Sequence, residues 1–414
     1  MSDHAGSSAV LDLPEDSTPP EKTARSPLDF IHLTGRAALV RDWIGVVVGV
    51  YVLITAVKVI GAGFKIAVGD QAQQLFSFAD NPLIALMIGL LATALTQSSS
   101  TTTSVTVGLV AGGLPLHIAI PMLMGANMGT TMTNTLVSLG MAKDKNVFRR
   151  AFAAATVHDF FNLFAVTILL PIELMFGVLE RASGALSGAM AGGGSGQVGA
   201  FFTAIGNTVS AATEPLADAI LWSADAVGMP AVAEGIVLAV VGVALILLVI
   251  NKLGQLLKVL MVGRAKRVLH TAIARGPVTG IVSGCLITMA VQSSSTTTSL
   301  AVPLAGSGTF SLKQIYPVTV GANIGTTITA LIAAFAFTGA EGVVALQTAF
   351  VHVLFNVFGA LIVFGIPLLH SLPMVCATKL ADLSAENKAY AITWSVGAFL
   401  VVPFVAIALT TWVF

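Results

Sequence analysis

The chain has 414 residues, of which 56% are hydrophobic and only 10% are charged. So few charged side chains cannot cover the surface of a water-soluble protein of this length, which excludes that class and indicates a membrane protein in contact with lipids. Basic and acidic residues number 20 each, so the net charge is zero and we expect no nucleic-acid partner. Cys285 and Cys376 lack the spacing of a metal site and predict no disulfide framework.

The chain begins with a polar segment. Residues 1–40 contain Asp, Glu, Pro and Ser and lack a short apolar core with a cleavage site. They therefore predict a disordered tail rather than a signal peptide. Four later apolar stretches reach the roughly 20 residues that cross a bilayer, and each is predicted to be a transmembrane helix. These stretches are residues 43–64, 233–250, 348–369 and 389–414.

An internal repeat lies between and within these stretches. Residues 97–104, Gln-Ser-Ser-Ser-Thr-Thr-Thr-Ser, recur without change as residues 292–299, at an offset of 292 − 97 = 195. Residues 125–131 recur as 321–327 with one conservative change. Three blocks in one order predict two homologous copies that form one transport domain. The third block is Val157, His158 and Asn162, which recur as Val351, His352 and Asn356.

The repeat divides the chain into five parts. We predict a cytoplasmic tail (1–40), a first transmembrane repeat (41–178), an extracytoplasmic connector (179–230), a second transmembrane repeat (231–370) and a cytoplasmic loop followed by a final transmembrane helix (371–414). A Gly-, Ser- and Ala-rich composition marks the connector.

The distribution of Lys and Arg predicts the orientation of the repeats, because these residues concentrate in short cytoplasmic loops. The loop after residues 125–131 is basic, whereas the equivalent loop at 338–343 contains only an acid, Glu341. The segment after the first span is mixed in charge, whereas residues 251–275 carry six cations and no acid. Equivalent loops thus face opposite sides. This pattern predicts inverted-topology repeats with a cytoplasmic N-terminus, an arrangement typical of secondary transporters.

Polar stretches interrupt the apolar runs at residues 82–140 and 277–336, which predicts broken or re-entrant helices. Irregular backbone at membrane depth must line a cavity or be buried in protein, because unpaired amides in lipid are costly. The Gln-Ser-Ser-Ser segments (residues 97–100 and 292–295) and the Gly-Ala-Asn segments (125–127 and 321–323) should therefore face inward. Their hydroxyls, amides and helix N-terminal N–H groups suit a tetrahedral oxyanion. Close helix packing alone is the alternative for any single Ser or Thr.

Neither repeated block contains Lys or Arg, although phosphate carries about −1.5 to −2 charges near neutral pH. Neutral oxygen atoms on unwound helices suit Na⁺, which would supply positive charge; K⁺ or a proton would use similar atoms. Asp159 lies in an apolar run and its counterpart is Val353, which predicts an additional cation or proton site. The alternative is that Asp159 reaches the aqueous end of its span. For His158 and His352 we expect structural hydrogen bonds.

These residues resemble the type II sodium-coupled phosphate cotransporter family. The resemblance rests on both Gln-Ser-Ser-Ser segments and on residues 125–135, 148–152 and 156–162, and it covers residues 40 to 370. It implies import of inorganic phosphate, as HPO₄²⁻, with Na⁺ by alternating access. Ala153, Ala155 and Asp159 match the electrogenic members. The short connector without cysteine fits a bacterial-type member in the inner, or plasma, membrane.

The resemblance also implies site residues. It places phosphate at Ser98, Ser99, Ser293, Ser294 and Ser295. The inward-facing polar segments add Gln97, Ser100, Asn127 and Asn323 as expected phosphate contacts. One sodium site is implied at Gln292, Ser293, Ser294, Thr326 and Thr329, and another at Thr135, Asp144, Asp159 and Asn162. Met141 and Ala322 depart from the family's pattern, in which polar residues are common at these positions.

Three alternatives stay open. An intramembrane serine hydrolase using His158 and Asp159 lacks a Gly-x-Ser-x-Gly nucleophile turn, so we expect no enzyme. Another oxyanion, such as sulfate or arsenate, would use the same donors, although HPO₄²⁻ can also donate a hydrogen bond to Gln97 or Gln292. A channel is less consistent with inverted repeats than alternating access. A homodimer is compatible with the sequence.

Overall fold

The computed structural model describes residues 25–68, 81–191 and 197–413. All regular structure in these ranges is helical, and six helical segments are long and apolar enough to cross a membrane. The protein is therefore an all-α polytopic membrane protein, as predicted. Most of the predicted disordered tail lies outside the described residues. The six segments are Gly35–Val68, Lys145–Phe176, Ala231–Met261, Leu312–Ala334, Gly339–Phe364 and Ala389–Thr410.

The described part of the first repeat consists of six helices. A 3-10 turn, Gly129–Thr131, joins the fourth to the fifth. The helices are α1 (Gly35–Val68), α2 (Pro82–Thr96), α3 (Ser99–Ala111), α4 (Leu116–Met128), α5 (Met132–Leu139) and α6 (Lys145–Phe176).

The connector is helical where the structure describes it. Helix α7 (Val178–Ala191) packs against the second repeat, and α8 (Gln197–Asp225) packs against α1. Lys58 of α1 forms an ion pair with Glu214 of α8 at 3.3 Å. The segment joining the repeats is therefore attached to the transmembrane body along much of its length.

The second repeat follows the helix order of the first. Its last helix begins nine residues before the predicted span start at residue 348 and runs on as a π-helix, Ala360–Phe364. The helices are α9 (Ala231–Arg275), α10 (Pro277–Val291), α11 (Ser294–Gly306), α12 (Leu312–Thr326), α13 (Ile328–Ala334) and α14 (Gly339–Gly359).

The C-terminal part holds more helix than the sequence indicated. Residues 371–386, predicted as a loop, belong to α15 (Pro367–Glu386), which packs along α6. An ion pair between Arg149 and Asp382 joins these two helices. The predicted final span is observed as α16 (Ala389–Ile392), a π-helix (Thr393–Val401) and α17 (Val402–Val413), and it packs against α2.

Two of the six membrane-length segments, Lys145–Phe176 and Leu312–Ala334, were not among the four predicted spans. The apolar sequence of these two segments is interrupted by polar residues, among them His158, Asn162 and Asn323. These side chains are buried between helices, at 1%, 0% and 3% exposure, so they do not face lipid. Burial in protein makes such polar groups tolerable at membrane depth.

Both Gln-Ser-Ser-Ser segments break a helix in the same way. Gln97 has φ 55° and ψ 25°, Gln292 has φ 55° and ψ 27°, and both lie in the left-handed region. The next residues, Ser98 and Ser293, are extended and cap the following helix, each accepting from a backbone N–H three residues on at 3.2 Å. The predicted broken helices are thus present at equivalent positions in both repeats.

Helices of each repeat pack against helices of the other. Helix α3 of the first repeat packs against α13 and α14 of the second, and α11 of the second packs against α5 and α6 of the first. Helices α1 and α9 lie against each other along their lengths. The largest apolar cluster includes Leu123, Phe161, Tyr316 and Phe355 from α4, α6, α12 and α14. The helix breaks are therefore enclosed by elements of both repeats.

Glycine allows close packing of α2 on α4 and, equivalently, of α10 on α12. A Cβ atom at Gly125 would lie 1.9 Å from the backbone oxygen of Leu86, and one at Gly321 would lie 1.9 Å from the backbone oxygen of Ile281. Such distances are far inside van der Waals contact. Each helix pair can therefore approach this closely only with glycine at these positions.

We expect Gly125→Ala to destabilise the protein by about 1–3 kcal/mol or more, because the added methyl forces α2 and α4 apart. The matched control is Gly188→Ala in α7, where nothing lies within 4 Å of the added atom. Thermal unfolding of purified protein in detergent measures the difference. Equal melting temperatures for Gly125→Ala and wild type would contradict the packing argument.

Candidate functional site

The two helix breaks line one cavity of about 260 Å³. All eight residues of the Gln-Ser-Ser-Ser segments contribute to its wall, together with neighbouring threonines. The structure thus brings together seven of the nine residues predicted to contact phosphate: Gln97, Ser98, Ser99, Ser100, Ser293, Ser294 and Ser295. The remaining two, Asn127 and Asn323, do not line it.

The cavity receives two helix N-termini. Helices α3 and α11 begin at Ser99 and Ser294, both of which line the cavity. The first N–H groups of a helix have no partner within the helix, and the helix dipole places about half a positive charge there. Two such ends facing one space form a favourable environment for an anion.

The glutamine side chains hold the breaks in place. The amide nitrogen of Gln97 donates to the backbone oxygen of Ala94 at 2.6 Å, and Gln292 donates to Met289 O at 2.7 Å. Each amide oxygen accepts from a threonine hydroxyl, Thr133 at 3.1 Å and Thr329 at 2.9 Å. An amide has two N–H donors and two lone pairs, so each glutamine keeps capacity for a ligand.

One predicted sodium site is partly assembled here. Gln292 and Thr329 are in direct contact, and Ser293 and Ser294 lie next to them in the cavity wall. The hydroxyl of Thr326 donates to Ala322 O at 2.9 Å within α12, three residues before Thr329. Sequence analysis missed the equivalent residue of the first repeat, Thr133. The repeat offset could have found it, since 329 − 196 = 133.

Asn127 and Asn323 belong to a buried network behind the cavity. Asn323 Oδ1 contacts His158 Nε2, and its equivalent, Asn127 Oδ1, lies 3.4 Å from His352 Nε2. Asn162 links the two, accepting from Asn323 Nδ2 at 2.7 Å and donating to Asn127 O at 3.0 Å. Each histidine therefore contacts the asparagine of the other repeat. The predicted structural hydrogen bonds of both histidines are observed, whereas Asn127 and Asn323, which were predicted to contact phosphate, do not line the cavity.

Asp159 lies deep inside the molecule. Its side chain is 3% exposed, so it does not reach the aqueous end of α6 as the alternative proposed. Asp159 Oδ2 accepts from the indole Nε1 of Trp394 at 2.8 Å, and Trp394 stacks on Phe160 with ring centroids 4.9 Å apart. Asn162 lies one turn further along α6. Thr135, also predicted to bind sodium, is buried in α5, which packs against α6.

Asp144 does not join this group. Its carboxylate caps α6 by accepting from the N–H groups of Asn146 and Val147 at 2.8 and 3.0 Å. These backbone donors lower the pKa of Asp144 below its usual value. It precedes Asp159 by 159 − 144 = 15 residues, or about 22 Å along a helix. One sodium ion cannot contact both carboxylates in this structure.

One part of the cavity wall, which belongs to α9, was not predicted from the sequence. Asn251, Gln255 and Lys258 of α9 also line the cavity. Sequence analysis used the charge of Lys258 only to orient the loops. Asn251, Gln255 and Lys258 are four and three residues apart, so they share one face of the helix. This polar stripe beside an apolar span is the feature of the sequence that could have predicted their place in the cavity wall. Among the described residues, no three His, Cys, Asp or Glu side chains gather into a metal site.

Comparison with known proteins assigns the family. The Na⁺/Pi-cotransporter family model matches residues 52–204 and 245–372, which include both helix breaks. The chain belongs to this family. It is 32% identical to sodium-dependent phosphate transport protein 2A of Rattus norvegicus over 416 residues, covering 85% of this chain and 65% of the relative. It is 30% identical to sodium-dependent phosphate transport protein 2B of Homo sapiens over 442 residues, covering 87% of this chain and 64% of the relative.

The family match confirms the resemblance seen in the sequence. The chain spans slightly less than two thirds of the length of these relatives, 65% of the first and 64% of the second. No solved structure matches the chain.

Proposed function

We propose that this protein is a symporter that imports inorganic phosphate with sodium by alternating access. One observation carries the proposal: two helix N-termini, one from each repeat, line a single hydroxyl-rich cavity with no acidic residue in its wall among the described residues. The names of the relatives, sodium-dependent phosphate transport proteins 2A and 2B, support phosphate and sodium as the substrates.

Phosphate suits the cavity because it is a compact anion with several acceptor oxygens. The helix N-termini and the hydroxyls of Ser98, Ser99, Ser100, Ser294 and Ser295 would donate to it. HPO₄²⁻ also carries one O–H group, which can donate to the remaining lone pair of Gln97 or Gln292. Sulfate has no such donor. These two glutamines would therefore favour phosphate.

Sodium would bind beside the phosphate through neutral oxygen atoms. Gln292 and Thr329 provide contacting oxygens at the second break, near Ser293, Ser294 and Thr326. The group of Thr135, Asp159 and Asn162 is the proposed second site, where a buried carboxylate would favour a cation. Bound sodium would offset the negative charge of phosphate. Coupling would then follow from electrostatics as well as from the ion gradient.

The proposed membrane orientation follows from the positions of the cations. Arg267 and Arg275 lie near the C-terminal end of α9, beyond the membrane-length segment Ala231–Met261, and basic segments concentrate on the cytoplasmic side. With the N-terminus on that same side of a bacterial inner membrane, the connector would be extracytoplasmic. The cavity, whose wall includes Lys258 of α9, would open toward the cytoplasm in this conformation. The exchanged contacts between repeats would rearrange to open it on the other side.

An enzymatic function is not supported by the side-chain contacts. His158 Nε2 contacts Asn323 rather than a cavity serine, and Asp159 accepts from Trp394. A serine nucleophile needs a hydrogen-bonded base, which none of these residues provides. We therefore propose that the cavity binds and releases its ligands unchanged.

Transport is tested with purified protein in liposomes. We expect radiolabelled phosphate uptake under an inward Na⁺ gradient and little uptake under matched K⁺ or choline gradients at the same pH. Excess sulfate should not compete. Uptake that is equal with Na⁺ and K⁺ would overturn sodium coupling, and the absence of any uptake would overturn the proposed function.

Ser294→Ala removes one predicted hydroxyl donor from the cavity wall. Because hydrogen bonds to charged groups contribute about 1.5–3 kcal/mol, we expect phosphate affinity to fall about tenfold or more. The matched control is Ser299→Ala in the same helix, whose hydroxyl donates to Thr296 O at 2.9 Å and does not line the cavity. Half-saturating phosphate concentrations for uptake distinguish the two variants. Equal values for both would contradict the serine's role.

Asp159→Asn keeps the size of the side chain and removes its charge. If Asp159 helps to bind a transported sodium ion, we expect less charge to move per phosphate. The control Trp394→Phe removes the indole donor but leaves the carboxylate, so the charge moved should stay the same. The ratio of phosphate-evoked current to phosphate uptake is the measurement. An unchanged ratio in Asp159→Asn would refute the electrogenic role.

A further inference from the structure

We propose that Lys258 of α9 supplies the fixed positive charge for the anion in this cavity and is its specificity-determining cation. The inference rests on the proposed phosphate site and adds a residue outside the repeated blocks. Lys258 lines the cavity with the Gln-Ser-Ser-Ser segments of both repeats. It is the only charged residue in the wall, as far as the described residues show.

Its placement follows from helix geometry. Asn251, Gln255 and Lys258 are spaced four and three residues apart, so they share one face of α9. All three are exposed on this face, and Gly254 lies in the same wall. The helix therefore presents two amides and an ammonium group toward the serines. A lysine carries three N–H donors and no acceptor, which suits an oxyanion and opposes a bound sodium ion at that position.

The charge of Lys258 is available to a ligand. Lys58 and Lys65 of α1 each have an acid partner, Glu214 at 3.3 Å and Glu341 at 2.7 Å. No acid within the described ranges forms a salt bridge with Lys258, and none lines the cavity. A lysine beside two helix N-termini adds to their positive potential instead of cancelling it. An anion bound in the cavity would balance this potential.

The two repeats also differ in the charge that they contribute to the cavity wall. The contacts between α1 and α9 set the register of these two helices: Gly49 packs on Leu253 and Gly242 packs on Ile60, so equivalent positions are 242 − 49 = 193 residues apart and Lys258 corresponds to Lys65. Lys65 does not line the cavity and forms an ion pair with Glu341 at 2.7 Å. The first repeat therefore places no cation in the cavity wall, as far as the described residues show. Lys258 would attract the anion from the side on which this conformation is open, and it would hold the ligand there until the repeats rearrange.

Three variants test the proposal by phosphate binding to detergent-purified protein at saturating Na⁺. Loss of a charge-assisted hydrogen bond should weaken binding about tenfold in Lys258→Met, whereas Lys258→Arg should stay within about threefold of wild type. Lys252→Met removes the same charge from an exposed position of α9 outside the cavity wall and should bind as wild type does. A folded Lys258→Met protein with wild-type affinity would overturn the inference.

Charge rescue keeps the test informative if Lys258→Met folds poorly. In a Cys285→Ala, Cys376→Ala background, Lys258→Cys is labelled after folding with 2-aminoethyl methanethiosulfonate or with its neutral methyl analogue. We expect only the cationic label to restore phosphate affinity. Equal restoration by both labels, or by neither, would refute a role for the charge.

Failure of this inference can be told apart from failure of the proposed function. Wild-type protein that takes up phosphate with Na⁺, combined with unchanged affinity in Lys258→Met, would overturn the inference alone. Wild-type protein that neither binds nor takes up phosphate would overturn the proposed function and the inference with it.

Discussion

The left-handed backbone turn at Gln97 and Gln292 is the constraint on which the rest of the site depends. A non-glycine residue in this conformation costs about 1–2 kcal/mol, and here the side-chain amide offsets the cost by capping the preceding helix. The turn ends one helix and lets the next begin two residues later, so that helix N-termini lie inside the protein. A continuous helix would satisfy its own N–H groups and leave no backbone donors for an anion.

Packing between the repeats keeps these turns facing each other. Glycine at positions 125 and 321 lets each broken helix pair close tightly, while α3 and α11 insert against helices of the opposite repeat. Behind the cavity, His158 and His352 each contact the asparagine of the other repeat. In the proposed alternating access, a movement that opens the cavity on its other side would rearrange contacts that both repeats share. This sharing provides a physical route for coupling the two halves.

The two repeats are alike in backbone and unlike in charge. The first repeat has a buried carboxylate, Asp159, where the second has Val353. The second places a lysine, Lys258, in the cavity wall, whereas the first places no cation there among the described residues. Each difference adds a charge suited to one of the two proposed substrates, a cation in the first case and an anion in the second. The final helix, which lies outside both repeats, contacts the buried carboxylate of the first repeat through Trp394.

The sequence by itself determined the membrane class, the family resemblance, the two breaks and all six serines that line the cavity, because composition and an exact eight-residue repeat are visible without coordinates. It also indicated structural hydrogen bonds for the histidines. Only the tertiary structure decided that Asn127 and Asn323 lie outside the cavity wall and that Lys258 belongs to it. Those outcomes depend on how helices pack across the two repeats. Residues far apart in the chain become neighbours through that packing, which periodicity along one helix does not encode.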